Sequence, residues 1–275
     1  MTLFAIPFPN IDPTAFSIGP VSVKWYGLAY AAGLLLGWLY VRRMLRTERL
    51  WNGGLAPFPE AKADDLLLFM TIGVVVGGRL GEVLFYQPGY FLANPLEIFA
   101  TRSGGMSFHG GFVGSILAIW FFSRRNAVNV RTTLDLCAAA TPIGLFFGRI
   151  TNFINAELWG KHTDVPWAMV FPGAGPLPRH PSQLYEAALE GAVLFLILAW
   201  LVWRTDALKR PGLVAGAFTA GYGIARSFCE LFREADPSPW AQAVGISPGT
   251  LYSLPMIVIG IYLIWQARSA PAAKA

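Results

Sequence analysis

The sequence predicts an all-α, polytopic integral membrane protein with seven transmembrane helices and a small external cap. Three observations carry this expectation. Hydrophobic residues make up 55% of the 275-residue chain and charged residues only 13%, against roughly 25% charged in an ordinary soluble domain. Seven stretches are long and apolar enough to cross a hydrocarbon core of about 30 Å, allowing for tilt. The loops between those stretches also share out Lys and Arg unevenly.

The expected spans run approximately 25–41, 66–86, 106–123, 132–150, 187–203, 212–230 and 250–266. The 24-residue leader before the first is amphipathic, carries one basic residue, Lys24, and has no Ala-x-Ala-like site, so no cleaved signal peptide is expected. Span one opens at Trp25. Tyr26 beside it either serves a site or is an ordinary interfacial aromatic. Span two holds Arg79 and Glu82, three apart on one face and able to pair. The stretch "QPGYFLANPLEIFATRSGGMSFHGG" that follows is too broken by Pro and Gly to span, and is expected at the interface. Span three opens with His109 in "FHGGFVG".

Span four begins near Asp135, expected to cap or pair near the cytoplasmic surface, and ends at Arg149. Residues 151–186 form the longest outward loop. Their Pro and Gly content is turn chemistry, which predicts the external cap. Span five opens with Glu186 and Glu190, read either as carboxylates favoured by the helix dipole or as catalytic groups. Span six stacks Tyr222, Arg226 and Glu230 at four-residue intervals on one side. With an odd number of spans, no internal repeat and no composition shift, residues 1–275 read as a single membrane domain.

The net charge of +5 is a topology signal rather than a sign of nucleic-acid binding. One alternating set of loops holds Arg42, Arg43, Arg46, Arg49, Lys62, Arg124, Arg125, Arg131, Arg204, Lys209, Arg210, Arg268 and Lys274. The other holds only Lys24, Arg102, Lys161, Arg179 and Arg233. Short cytoplasmic loops carry the Lys/Arg excess, so the N-terminus is expected outside and the C-terminus inside. Cys137 and Cys229 lie in apolar runs and read as small buried thiols.

That orientation gathers the unusual polar groups. Arg79, Glu82, Arg149, Arg226 and Glu230 fall at the outer ends of outward-running spans; Tyr26, His109, Glu186 and Glu190 fall at the outer beginnings of the others. Asp135 is the exception. A charge near the centre of a spanning helix costs about 2.5 to 3.5 kcal/mol on insertion scales. Arg149 and Arg226 read as guanidiniums with few carboxylates nearby, and so in want of an anion. At membrane depth the abundant anion is a phospholipid phosphate, which Arg matches bidentately. His109 is either a packed histidine or a general base, the imidazole having an ordinary pKa of about 6.5. His109, His162 and His180 are scattered without ligand spacing, so neither metal nor cofactor is expected.

The stretch "GRITNFINAELWG" at 148–160 resembles the signature of the bacterial prolipoprotein diacylglyceryl transferases, Gly-Arg-x-(Gly or Ala)-Asn-Phe-x-Asn-x-Glu-x-x-Gly. Gly148, Arg149, Asn152, Phe153, Asn155, Glu157 and Gly160 match it. Thr151 departs from it, which questions how closely the backbone there can approach another group. The resemblance extends to "WYG" at 25–27, "GGRLGEVLFY" at 77–86, "GGMSFHGG" at 104–111, "RHPSQLYEA" at 179–187 and "GYGIARSFCELFREAD" at 221–236.

The resemblance implies transfer of a diacylglyceryl group from phosphatidylglycerol to the lipobox cysteine thiol of a prolipoprotein, in the bacterial cytoplasmic (inner) membrane and toward its outer face. The thiol belongs to the substrate, so no cysteine of this chain is needed. Arg149 and Arg226 are expected to clamp the phosphate and His109 to accept the proton. Asn152, Asn155 and Tyr222 are expected to donate or accept hydrogen bonds at headgroup or peptide, and Glu157 or Glu230 to orient an arginine. Gly160 and Tyr26 complete the candidate binding set. The precursor's signal peptide is expected to enter from within the membrane, between helices. Two other classes compete: a transporter or channel for an anionic solute, which predicts charges spread through the full depth and often a repeat, and a headgroup transferase, which predicts acidic, metal-binding clusters.

Overall fold

Long runs of Leu, Val, Ile and Phe fold as helices because each such helix satisfies its own backbone hydrogen bonds. The computed structural model describes residues 6–19, 21–100, 104–234 and 245–269. Arg102, Lys274 and the last two residues of the 221–236 motif lie outside them. Helices occupy all seven expected places: α1 Trp25–Arg46, α2 Lys62–Gly81, α4 Phe108–Arg125, α5 Val130–Ile154, the rod that begins with α6 Ser182–Glu186 and ends with α7 Leu194–Arg204, α8 Leu213–Cys229 and α9 Pro248–Ser269. A short helix, α3 Pro88–Ala93, and a 3-10 turn, Pro95–Phe99, lie in the segment expected at the interface.

Four of these are long and apolar enough to cross a membrane: Lys62–Tyr86, Val130–Ile154, Ser182–Arg204 and Pro248–Ser269. The others fall short for visible reasons. Helix α8 has 17 residues, α4 ends in Arg124 and Arg125, and α1 is diluted by Trp, Tyr and Gly before its terminal arginines.

The chain divides into two compact units, residues 1–40 with 135–275 and residues 41–134. In the first, α8 packs along α9, and α1 meets α5 where a Cβ on Gly33 would come within 3.0 Å of the Gly144 backbone. Asp135, fully buried, accepts from the backbone N–H of Gly212 and of Ala215, both at 2.7 Å. It therefore caps the N-terminus of α8, where Gly212 takes φ 97°. The expectation of a capping aspartate holds, with the cap made to a different helix.

The all-α expectation needs one correction. The leader forms β1 Ile6–Pro7, β2 Thr14–Ile18 and β3 Val21–Lys24; β2 and β3 make an antiparallel hairpin, and β1 pairs in parallel with β4 Met169–Val170. The irregular segment after α5 is thus tied to the leader. Phe8 packs between Phe153 and Phe171, each 5.3 Å away by ring centroids.

In the second unit α2 and α4 pack along a seam of small residues, where Gly73, Gly77 and Gly81 face Gly110 and Gly114 with no room for a Cβ. Past the end of α1, Leu50, Trp51 and Phe58 bury around Met44 and Phe122. Glu60 there hydrogen-bonds Arg46, which holds its carboxyl below the ordinary carboxylate range.

Candidate active site

The signature begins on the last turns of α5 and leaves the helix in a constrained bend. Thr151 is buried and its hydroxyl donates to the Phe147 carbonyl at 2.9 Å, so the residue that departs from the pattern is satisfied within its own helix. Beyond Ile154 the chain turns through Ala156 and Leu158, at φ 51° and 58°. Left-handed backbone costs a non-glycine residue roughly 1–2 kcal/mol, so neighbours must hold it. Gln183 donates to the Glu157 carbonyl at 2.6 Å and Ser182 to the Leu158 carbonyl at 3.0 Å. The Glu157 carboxylate accepts from Asn152 at 2.7 Å and from Asn155 at 3.5 Å. The two signature amides therefore orient Glu157.

Gly160 is threaded between strands of backbone. Its N–H donates to His180 at 2.9 Å, its carbonyl accepts from Arg179 at 3.1 Å, and an added Cβ would stand 2.4 Å from the Phe232 carbonyl. Close approach accounts for this glycine. Burial and then the Lys161 charge push the nearby His180 imidazole below its ordinary value.

Arg149, on α5, meets the rod. Between α6 and α7 the rod widens into a π-turn, Ala187–Val193, a feature often found at functional sites. Gly191 in this turn admits Phe146, whose Cβ lies 2.7 Å from where its own Cβ would be. Glu186 and Glu190, both fully buried, sit one turn apart. Arg149 donates Nε and Nη2 to Glu190 Oε2 at 3.3 and 3.2 Å. Its Nη1 stands 3.0 Å from Glu186 Oε2, an ion-pair contact rather than an aligned hydrogen bond. Arg226, on α8, donates to Glu186 Oε1 at 2.9 Å and also pairs with Glu230. Arg233 donates to the same Glu186 oxygen at 2.9 Å.

This corrects the reading of Arg149 and Arg226 as guanidiniums with few carboxylates nearby. Their counter-charges come from the start of another helix, a partnership that spacing along one helix cannot reveal. Arg233 was equally hidden, since it sits past α8 in what reads as an outward loop. Tyr222 stacks on Phe218 and lies within electrostatic reach of Arg149, Arg226, Glu186 and Glu190. Tyr26 hydrogen-bonds Tyr30, which is within electrostatic reach of Arg149 and Glu157. Tyr30 went unnoticed in the sequence, although its i+4 spacing from Tyr26 was there to read.

His109 belongs to the second unit, in the first turn of α4, whose N-cap Ser107 accepts from the Gly110 N–H at 3.1 Å. Its Nδ1 is 3.2 Å from the Tyr86 hydroxyl. Arg79 and Glu82, read as able to pair, take other partners. Arg79 donates to the carbonyls of Glu97, Ile98, Ala100, Gly104 and Gly105, with its guanidinium 5.0 Å from the Phe91 ring centre. The turns after α3 leave carbonyls without helical partners, and a guanidinium with five donors satisfies them. Glu82 accepts from Gln87 at 3.0 Å.

Among the described residues, no three His, Cys, Asp or Glu side chains stand together in a way that could hold a metal ion. What the first unit does offer is a part-buried cluster in which three guanidiniums, those of Arg149, Arg226 and Arg233, meet three carboxylates, those of Glu186, Glu190 and Glu230.

A family model described as prolipoprotein diacylglyceryl transferase matches residues 13–266. A protein of Rhizobium meliloti named phosphatidylglycerol–prolipoprotein diacylglyceryl transferase is 55% identical over 272 residues, covering 98% of this chain and 97% of its own. Namesakes from Nitrobacter winogradskyi and Rhodopseudomonas palustris are 53% and 52% identical, covering 96% and 99% of this chain and 91% and 97% of theirs. These relatives give the transporter reading no support. With a match over nearly its whole length, the chain belongs to the prolipoprotein diacylglyceryl transferase family.

Proposed function

We propose that this enzyme transfers the diacylglyceryl group of phosphatidylglycerol to the lipobox cysteine thiol of a prolipoprotein, the first step of lipoprotein maturation. The observation that carries this reading is the pair of guanidiniums, Arg149 near the end of α5 and Arg226 near the end of α8, held together by their shared partner Glu186. In the proposed reaction the cysteine S–H loses its proton and the sulfur attacks the glyceryl carbon esterified to phosphate. The carbon–oxygen bond breaks, its electron pair stays on the phosphate, and glycerol phosphate leaves. Arg149 and Arg226 stabilise the charge that develops there, usually the largest single catalytic contribution.

His109 is the proposed proton acceptor. A thiol near pKa 8.5 and an imidazole near 6.5 differ by about 2.7 kcal/mol, an uphill proton transfer that the attack of sulfur on carbon draws forward by consuming the thiolate. Asn152, Asn155, Glu157, Gly160, Tyr222, Glu230 and Tyr26 form the proposed binding set. The chain is proposed to cross a bacterial inner membrane seven times, N-terminus outside, with residues 151–186 as an external cap over the site.

The test is incubation of membranes containing the enzyme with glyceryl-labelled phosphatidylglycerol and a lipobox peptide, beside a Cys→Ser control peptide. Label is expected on the cysteine peptide alone; label on both peptides or on neither overturns the reading. In the same assay His109→Gln is expected to lose most turnover, and near-normal turnover removes His109 from the mechanism.

A further inference from the structure

Glu186 and Glu190 have no part in the reaction as written above, yet both are fully buried against its arginines. Glu186 divides its oxygens, Oε1 accepting from Arg226 and Arg233 and Oε2 facing Arg149. Glu190 takes two N–H groups of Arg149 on one oxygen, while its other oxygen lies 3.6 Å from Arg226. The same two carboxylates thus touch both guanidiniums.

Neutralising charge does not require such sharing, since Glu230 already pairs with Arg226. Sharing fixes where one planar fork stands relative to the other. Each guanidinium has five N–H donors and these contacts take only part of them. The arginine side chains keep 17% and 14% of their surface open. With Arg149, Arg226 and Arg233 set against Glu186, Glu190 and Glu230, the cluster has no excess positive charge, so orientation rather than net charge is what it supplies.

We infer that Glu186 and Glu190 are positioning residues for the transfer: acting through Arg149 and Arg226, they hold the two guanidiniums at a fixed spacing that grips the phosphate in the transition state. The inference rests on the transferase reading above. A displacement of about 1 Å at a reacting centre costs on the order of 10²-fold in rate.

The full-length enzyme and its Glu186→Gln and Glu190→Gln variants are compared in the thioether assay, with rates normalised to folded protein. Each variant is expected to lose about 10²-fold in kcat, with KM for phosphatidylglycerol unchanged or lower because a negative charge has been removed. A normal kcat per folded molecule, or a loss confined to KM, overturns the inference. If Glu186→Gln does not accumulate folded, Glu190→Gln alone decides, since it leaves the Arg226 and Arg233 contacts of Glu186 in place. A parent enzyme that forms no thioether fails the transferase reading and this inference with it; an active parent with normal variants sinks the positioning role alone.

Discussion

Arg149 shows why a guanidinium rather than an ammonium stands at the end of α5. Three of its nitrogens address two carboxylates on the neighbouring rod, and a lysine offers one compact charge with no fork. Arg149→Lys keeps the charge and gives up the geometry. Its thioether-forming rate is expected to fall by 10²- to 10³-fold, the scale of losing one oriented donor at a developing oxyanion, and a rate within threefold of the parent rules out bidentate clamping. At this scale the sequence was partly legible. Motif residues such as Asn152 and Glu157 stand out by their spacing, and Arg226 with Glu230 by helical period. The role of Glu186 and Glu190 was not, because a carboxylate at a helix start has a sufficient local explanation in the dipole. Only its three-dimensional neighbours distinguish it.

The rod from Ser182 to Arg204 carries two of the site's carboxylates, Glu186 and Glu190, and its π-turn lets α5 come close. Gly191 permits that approach: a methyl group there would press on Phe146, on the turn of α5 just before Arg149. Gly191→Ala is expected to destabilise by about 1–3 kcal/mol, the usual cost of overpacking, and to lower activity in the protein that remains folded. Thermal unfolding with activity measured on the same samples checks this, and an unchanged midpoint with full activity refutes it. Apolar runs made the helices legible to within a few residues. The β1–β4 sheet was not legible, because β1 has two residues and finds its partner, β4, more than 160 positions away, where no period-2 pattern can form.

Across the whole molecule, much apolar surface points outward, as at Leu196 and Val258, which are 66% and 67% exposed. Apolar patches this extensive mark a membrane-facing surface, and membrane residence fits the family. The orientation was inferred from the Lys/Arg bias alone, and it has a direct check. A cysteine replacing Ser17 in the β2–β3 hairpin should react with a membrane-impermeant maleimide in intact spheroplasts. One replacing Leu55, which is 79% exposed, should react only after permeabilisation. The reverse pattern would invert the proposed topology.

The shared carboxylates also bear on how the chain is made. Synthesis runs from the N-terminus, so Glu186 and Glu190 follow Arg149 but precede Arg226 and Arg233. When the 182–204 rod is first made, one arginine of the cluster is present beside two acids, so the charges of the cluster are not yet balanced. The balance is completed only when α8, made later, brings Arg226 against Glu186. The electrostatic arrangement of the finished site thereby sets an order of assembly for the nascent protein.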